Sequence, residues 1–359
     1  MKRVFITHIL PREFELKYRL SVAAGNFSWN LINGGVFDQF YSIMPTYVHS
    51  NMDDVSMPEL VYSLLRVKGG VWRMIAILHE NIKIFNKLPK DCSVWMYNLT
   101  SLTLPLFLLL KWFRPHTKRN VIILDYTPKN DWLSRLCRWA FNHADGTIVL
   151  SPSPLFTVSN SACLPGVTPK DAVDAPVQTV INKEFLLSGV LNERISMVSM
   201  VLEAFSRMPE LTLHITGFLD DDSIVEKYRS CPNIHYHGKL AYEDYLEVFH
   251  RASFQLSTRD PNSAENQCNF PSKVMEALLH NRIVVSTIKY PQLKGVMCVK
   301  VSHDVEEFIK DIRKISNLPM TELMRYANQS EVVRRNFNAN VWSQTMTVIE
   351  DNGRIESFA

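Results

Sequence analysis

No G-x-G-x-x-G turn and no Walker lysine loop occurs in this sequence, which counts against dinucleotide-dependent dehydrogenases and P-loop kinases. Cysteine is sparse: six residues, at 92, 137, 163, 231, 268 and 298, stand far apart with no C-x-x-C pair. That spacing suits neither a zinc site nor a disulfide framework and reads as reduced thiols in a cytoplasmic protein. A long basic block is missing too. The formal charge of +3 is spread along the chain, so no nucleic-acid partner is indicated. The most lipid-like run, 102–110, is about half the ~20 residues a spanning helix needs and contains Pro105. It reads as a buried helix; Lys111, Trp112, Arg114, Lys118 and Arg119 follow it and leave open a peripheral patch at the inner face of a membrane. The opening MKRVFITHIL is too short in its apolar part for a signal peptide and reads as a first strand.

What is present is enough apolar material for two cores: 359 residues, 46% hydrophobic and 21% charged. Strand-like runs alternate with helix-like segments, the pattern of parallel sheets wrapped by helices. In the first half, strands are expected at 4–8, 37–43, 94–97, 121–125 and 147–150, and helices at 68–86, 131–143 and up to Asn33, ending at Gly34-Gly35. From 151 to 183 periodicity fades among Pro152, Pro154, Pro165, Pro169 and Pro176, as in a surface linker. A second series follows, with strands at 185–188, 211–216, 234–237, 254–257 and 283–286 and helices near 195–207, 222–229, 242–251 and 271–280. Ile195, Val198, Leu202 and Phe205 would form one buried stripe. The expected domains are 1–178 and 179–340, with 341–359 crossing back onto the first.

The segment 269–279, NFPSKVMEALL, carries the most chemistry. Pro271 at a first helical position marks a helix start. The following amides lack partners inside the helix and, with the helix dipole, seat a phosphate. Ser272, Lys273 and Glu276 share one side of that helix while Val274 and Leu278 face the core, so the Glu276 carboxylate stands about one turn, ~5.4 Å, beyond the seat, where a ribose diol could donate to it. The same spacing also describes an ordinary helix with a surface Lys–Glu pair.

In this context, 270–276 followed by Ser286-Thr287 at the end of a strand resembles the nucleotide-sugar block of glycosyltransferase family 4 (glycosyl transferases group 1), in its FPSK form. Ser188-Gly189, Thr216-Gly217, 233–238 and Leu256-Ser257-Thr258-Arg259 are similar to the family's preceding strands and turns, in the same order. The resemblance covers 181–290 well and the first half loosely. It implies an α/β chain of GT-B type, two Rossmann-like domains with parallel sheets facing across a cleft. It also implies a retaining transferase that moves sugar from a nucleotide-sugar donor to a saccharide or lipid-linked acceptor without a metal or other cofactor, as in bacterial surface polysaccharide synthesis. The donor site would comprise Gly189, Arg194, Gly217, Arg259, Phe270, Ser272, Lys273 and Glu276. Val190 stands where many relatives carry arginine, and Cys268 where the first motif glutamate belongs, eight positions before Glu276. Glu265 is at the wrong spacing to replace it. In the first half, Asp125 would touch a sugar or serve as a cap, and Gly25 and Asn26 would face the acceptor or serve packing. A nucleotide-sugar epimerase of the same fold and a catalytically silent scaffold are the alternatives. His235 and His237 share a strand face without a third metal ligand, and the acidic run 220–222 is accounted for by a helix start.

Overall fold

The computed structural model describes residues 1–15, 21–43, 57, 59–61, 70–124, 126–172, 175–219, 221 and 223–352. The chain divides into two compact units, Met1–Ala172 with Cys268–Phe270 and Phe337–Ala359, and Val173–Gln267 with Pro271–Asn336.

Unit 1 is built on a parallel sheet of β1 (Lys2–Thr7), β2 (Gln39–Ile43), β3 (Leu60–Val61), β4 (Cys92–Tyr97), β5 (Lys118–Ile123), β6 (Gly146–Val149) and β7 (Ser161–Cys163), in the order β3-β2-β1-β4-β5-β6-β7. Every residue of β4 is buried, as expected of a strand covered by helices on both faces. Val94, Met96, Val121 and Ile123 pack with Leu106, Phe107 and Leu110. The lipid-like run is therefore the helix Leu104–Phe113 of this core, and among the described residues no helix is long and apolar enough to cross a membrane. β7 corrects the reading of 151–183 as a linker: Ser161–Cys163 is a three-residue edge strand whose small, partly exposed side chains give no hydrophobic signal.

The helix Ala339–Glu350 belongs to this unit and is tied to its sheet by a buried cluster. Glu350 accepts from Arg3 Nε at 2.9 and 3.0 Å and from Trp95 Nε1 at 2.8 Å. Glu350→Ala would leave a guanidinium and an indole N–H without their carboxylate, so the expected loss is about 3 kcal/mol of stability. Denaturant midpoints measure it, and a loss below a few tenths would contradict this account of the cluster.

Unit 2 carries β8 (Glu184–Leu191), β9 (Thr212–Leu219), β10 (Ile234–Tyr236), β11 (Phe254–Ser257), β12 (Ile283–Ser286) and β13 (Val299–Lys300), parallel throughout in the order β10-β9-β8-β11-β12-β13. The first helix is Val198–Ser206, three residues shorter at its start than the Ile195 stripe implies. Met197 is left-handed at φ 48°, and Asn192 Oδ1 caps the Ile195 amide at 2.8 Å, so 192–197 is a turn. Val198, Leu202 and Phe205 are fully buried as that stripe requires. Strand order reverses between β1 and β4 in unit 1 and between β8 and β11 in unit 2. Ligands of open parallel sheets gather at the carboxyl ends of the strands at such switch points.

Candidate functional site

At the unit 2 switch point, β8 runs out through Gly189 at φ +115° beside Gly217 of β9 at φ +141°. A Cβ on Gly217 would come within 1.9 Å of the Gly189 carbonyl oxygen, whereas one on Gly189 would meet nothing among the described residues within 4 Å. Glycine at 217 is thus demanded by the backbone, and glycine at 189 leaves its open side to whatever lies above the strand. Beyond β11, the helix Ser272–Leu279 begins. Pro271 is its N-cap at ψ 121° and not its first helical residue, because the chain is still extended there. The Val274 amide closes onto the Pro271 carbonyl at 3.0 Å, so the Ser272 and Lys273 amides are those at the free end of the helix. Val274 and Leu278 are buried, Ser272 is exposed, and Lys273 and Glu276 are partly exposed.

A residue that the sequence did not flag joins this pair. Tyr245, from the helix Tyr242–Arg251, donates to Glu276 Oε2 at 3.2 Å and accepts from Lys273 Nζ at 2.9 Å. Lys273 Nζ is also 3.1 Å from Glu276 Oε2 and lies over the Tyr245 ring, 4.2 Å from its centroid. Burial first, and then the Glu276 charge, push the Tyr245 phenol above its usual range, so it stays protonated and donates. Tyr245 precedes Lys273 by 28 residues on another helix, and no periodicity links them.

The basic candidates are linked through Asn266. Arg194, whose side chain is 61% exposed, pairs with Glu265 at 2.9 Å, and Asn266 Nδ2 donates to the Arg194 carbonyl at 3.0 Å. Arg259 Nη1 reaches Asn266 Oδ1 at 3.3 Å, and its backbone amide donates to Thr287 Oγ1 at 2.6 Å. Glu265, set aside on spacing, is thus the carboxylate that orients Arg194. Cys268 is buried 3.3 Å from Ser153 Oγ, Asn269 Oδ1 accepts from the Tyr126 amide at 2.6 Å, and Phe270 is buried; all belong to unit 1.

In unit 1, Asp125 lies outside the described residues. Asn26 is exposed on the helix Val22–Asn33, and Gly25 is buried where a Cβ would come within 2.1 Å of Glu15 Oε1, the end of a side chain that would have to shift to admit it. The switch point itself presents His8, which sequence pattern left unmarked although it directly follows the first strand. Its Nδ1 faces the Ile43 carbonyl at 2.7 Å, which assigns the proton to Nδ1 and leaves Nε2 an acceptor that is buried and has no partner among the described residues. Burial holds this imidazole below its usual pKa, which keeps it neutral.

Among the described residues no set of three or more His, Cys, Asp or Glu that could hold a metal ion is found around His235 and His237. Instead His237 Nε2 contacts His214 Nδ1 at 3.0 Å, and His214 Nε2 contacts Glu184 at 2.9 Å. A second pair, His250 and His280, meets at 3.1 Å. Burial first depresses the pKa of His214, His237, His250 and His280 below 6.5. The unfolded chain therefore binds more protons than the folded one below that pH, and stability must fall as pH drops from 6.5 toward the folded-state values. Urea midpoints should be constant above neutrality and decline between about pH 6.5 and 5; a midpoint that rises on acidification would contradict this. Asp221, in the acidic run, accepts from the Ser223 amide at 2.9 Å, as a helix cap does.

Two Rossmann-like units with fully parallel sheets define the GT-B fold. The same fold is found over nearly the whole chain in solved structures. The N-terminal domain of Candida albicans trehalose-6-phosphate phosphatase matches at 13% identity with TM-score 0.68, covering 98% of this chain and 97% of that one. The α,α-trehalose-phosphate synthase (UDP-forming) of Burkholderia xenovorans in complex with glucose-6-phosphate matches at 11% identity with TM-score 0.64, covering 98% and 100%. An Escherichia coli trehalose-6-phosphate protein bound with UDP-2-fluoro glucose matches at 12% identity with TM-score 0.64, covering 98% and 99%. No protein-family model matches the sequence, and no curated protein matches it.

Proposed function

We propose that this chain is a glycosyltransferase that moves a sugar from a nucleotide-sugar donor, held by unit 2, to a saccharide or lipid-linked acceptor held by unit 1. The observation that carries the reading is the Tyr245–Lys273–Glu276 cluster, whose Lys273 lines one cavity with Ser257 of β11 and with Ser188 of β8, the residue before Gly189. The donor diphosphate would lie over Gly189 and the Ser272 and Lys273 amides, with Lys273, Arg194 and Arg259 as counter-charges, and Glu276 would accept from the ribose. In this reading those cations and amides stabilise the leaving diphosphate electrostatically, and no metal is required. Two of the structural neighbours hold UDP-2-fluoro glucose and glucose-6-phosphate, a nucleotide sugar and a phosphorylated sugar, which supports this chemistry. Retention of configuration, and a role in bacterial capsule, exopolysaccharide or O-antigen synthesis at the cytoplasmic membrane face, follow from the family 4 resemblance. On the acceptor side, Nε2 of His8 would accept a hydrogen bond from a sugar hydroxyl, with Asp125 following β5 in sequence order.

A donor-binding protein that transfers nothing is the second reading, favoured by Cys268 standing buried against Ser153 where the family carries a glutamate. Assaying nucleoside diphosphate released from a panel of nucleotide sugars separates the two. Release that depends on added acceptor supports the transferase; donor binding with no release under any acceptor selects the silent protein.

A further inference from the structure

One face of unit 1 is built against the usual rule that a surface helix turns its polar side outward. The helix Gly70–Lys87 buries Ala76, Glu80, Asn81 and Ile84. Its outer side carries Val71, Ile75, Leu78 and Ile82, spaced i, i+4, i+7, i+11 and all exposed, with Trp72, 63% exposed, on their flank. The apolar surface continues onto the neighbouring helix Leu104–Phe113, where Trp112 and Phe113 are 65% and 69% exposed. Side-chain contacts join the two: the Phe85 and Phe113 rings meet edge-on at 6.5 Å, and the Arg114 guanidinium lies 4.4 Å over Phe85. A third helix, Trp132–Asn142, extends the surface through Trp139, which lies 5.0 Å beneath Lys111 Nζ, and through the exposed Trp132.

Cations dominate here. The three helices with their caps carry seven lysines and arginines against two acids: Glu80, which is buried and paired with Lys83 at 3.4 Å, and Asp131, the N-cap of the third helix. We propose that this face docks on an anionic lipid bilayer, with the helix Gly70–Lys87 lying in the interface plane, its apolar stripe among the acyl chains and its cations at the headgroups. Tryptophan at the rim and lysine or arginine beside it are the chemistry of that boundary. A second copy of this chain is disfavoured as the occupant, since a two-fold contact would set the seven cations against their own images. The inference deepens the proposed function by naming the surface that would bring a lipid-linked acceptor to the protein, and rests on that reading for its purpose only.

Flotation of the full chain with phosphatidylglycerol-containing vesicles, and separately with pure phosphatidylcholine, tests it. The expected result is flotation with the anionic vesicles, weakened by raised salt as screening shortens the reach of the headgroup charge, and lost at least ten-fold in Trp72→Glu/Trp112→Glu. Arg73→Glu/Lys87→Glu should lose binding to the anionic vesicles as well, while both variants keep the parent's melting curve. Absence of flotation with anionic vesicles overturns the proposal. So does binding that the variants leave intact, or a concentration-dependent oligomer that Trp72→Glu/Trp112→Glu dissolves in a protein that ignores vesicles. Nucleotide titration of the same preparations separates this outcome from failure of the transferase reading, because lipid docking needs no donor.

Discussion

Glu276→Ala should weaken nucleotide-sugar binding by roughly 30- to 100-fold, about 2 to 2.7 kcal/mol, while leaving the melting temperature nearly unchanged. The two halves of that expectation come from different features of one cluster. In the unliganded protein the Lys273–Glu276 pair is half in solvent, with side chains 43% and 25% exposed, and such pairs contribute little to stability. With a donor bound, the carboxylate would accept charge-assisted hydrogen bonds from a diol shielded from water, and those are the stronger kind. Tyr245→Phe should cost less, about 1 kcal/mol or five-fold, because it removes the hydroxyl that orients Glu276 and keeps the carboxylate itself. Isothermal titration of both variants distinguishes a positioning residue from the ligand contact. Equal losses, or a drop in melting temperature that tracks the drop in affinity, would show that the cluster is there for the fold.

Gly217→Ala should be among the most damaging single methyl additions, with about 4 kcal/mol or more of destabilisation and a fall in melting temperature of roughly 10 °C or more. Two independent penalties coincide there. The backbone at φ +141° is one that a side chain rarely adopts, and the added carbon would come within 1.9 Å of a backbone oxygen on β8 that has nowhere to move inside a hydrogen-bonded sheet. Gly189→Ala gives the contrast. It carries the strain of φ +115° without a clash, so about 1 to 3 kcal/mol is expected, yet its methyl would stand on the open side where the diphosphate is proposed to lie. Affinity should therefore fall further in Gly189→Ala than its stability loss accounts for. A Gly217→Ala protein that melts with the parent would refute the backbone argument.

Much of the fold could be read from local pattern. β11 and β12 and the helix Tyr242–Arg251 lie where the apolar runs at 254–257 and 283–286 and the spacing of 242–251 place them, because buried parallel strands concentrate β-branched and aromatic residues between turns. Legibility fails where a tertiary partner decides. Ser161–Cys163 is a strand only because β6 offers it an edge, and the helix expected at 195 waits until 198 because Met197 and the Asn192 cap turn the chain first. The site divides in the same way. The side shared by Ser272, Lys273 and Glu276 follows from helix geometry and is visible in a few consecutive residues. The Tyr245 hydroxyl between Lys273 and Glu276, and Glu265 oriented on Arg194, depend on packing of separate helices, to which linear spacing is blind. His8 was within reach: a titratable residue closing the first strand of a parallel sheet sits by topology at the switch point.

Hydrogen exchange of the backbone amides with and without a nucleoside diphosphate, followed peptide by peptide, bears most directly on where the donor is held. New protection is expected only in the peptides spanning 188–194 and 258–276, strongest at Ser272 and Lys273, and abolished at equal ligand concentration in Glu276→Ala. Protection that appears elsewhere in the chain while those peptides exchange as in the free protein, or no protection with any nucleoside diphosphate, would contradict this expectation.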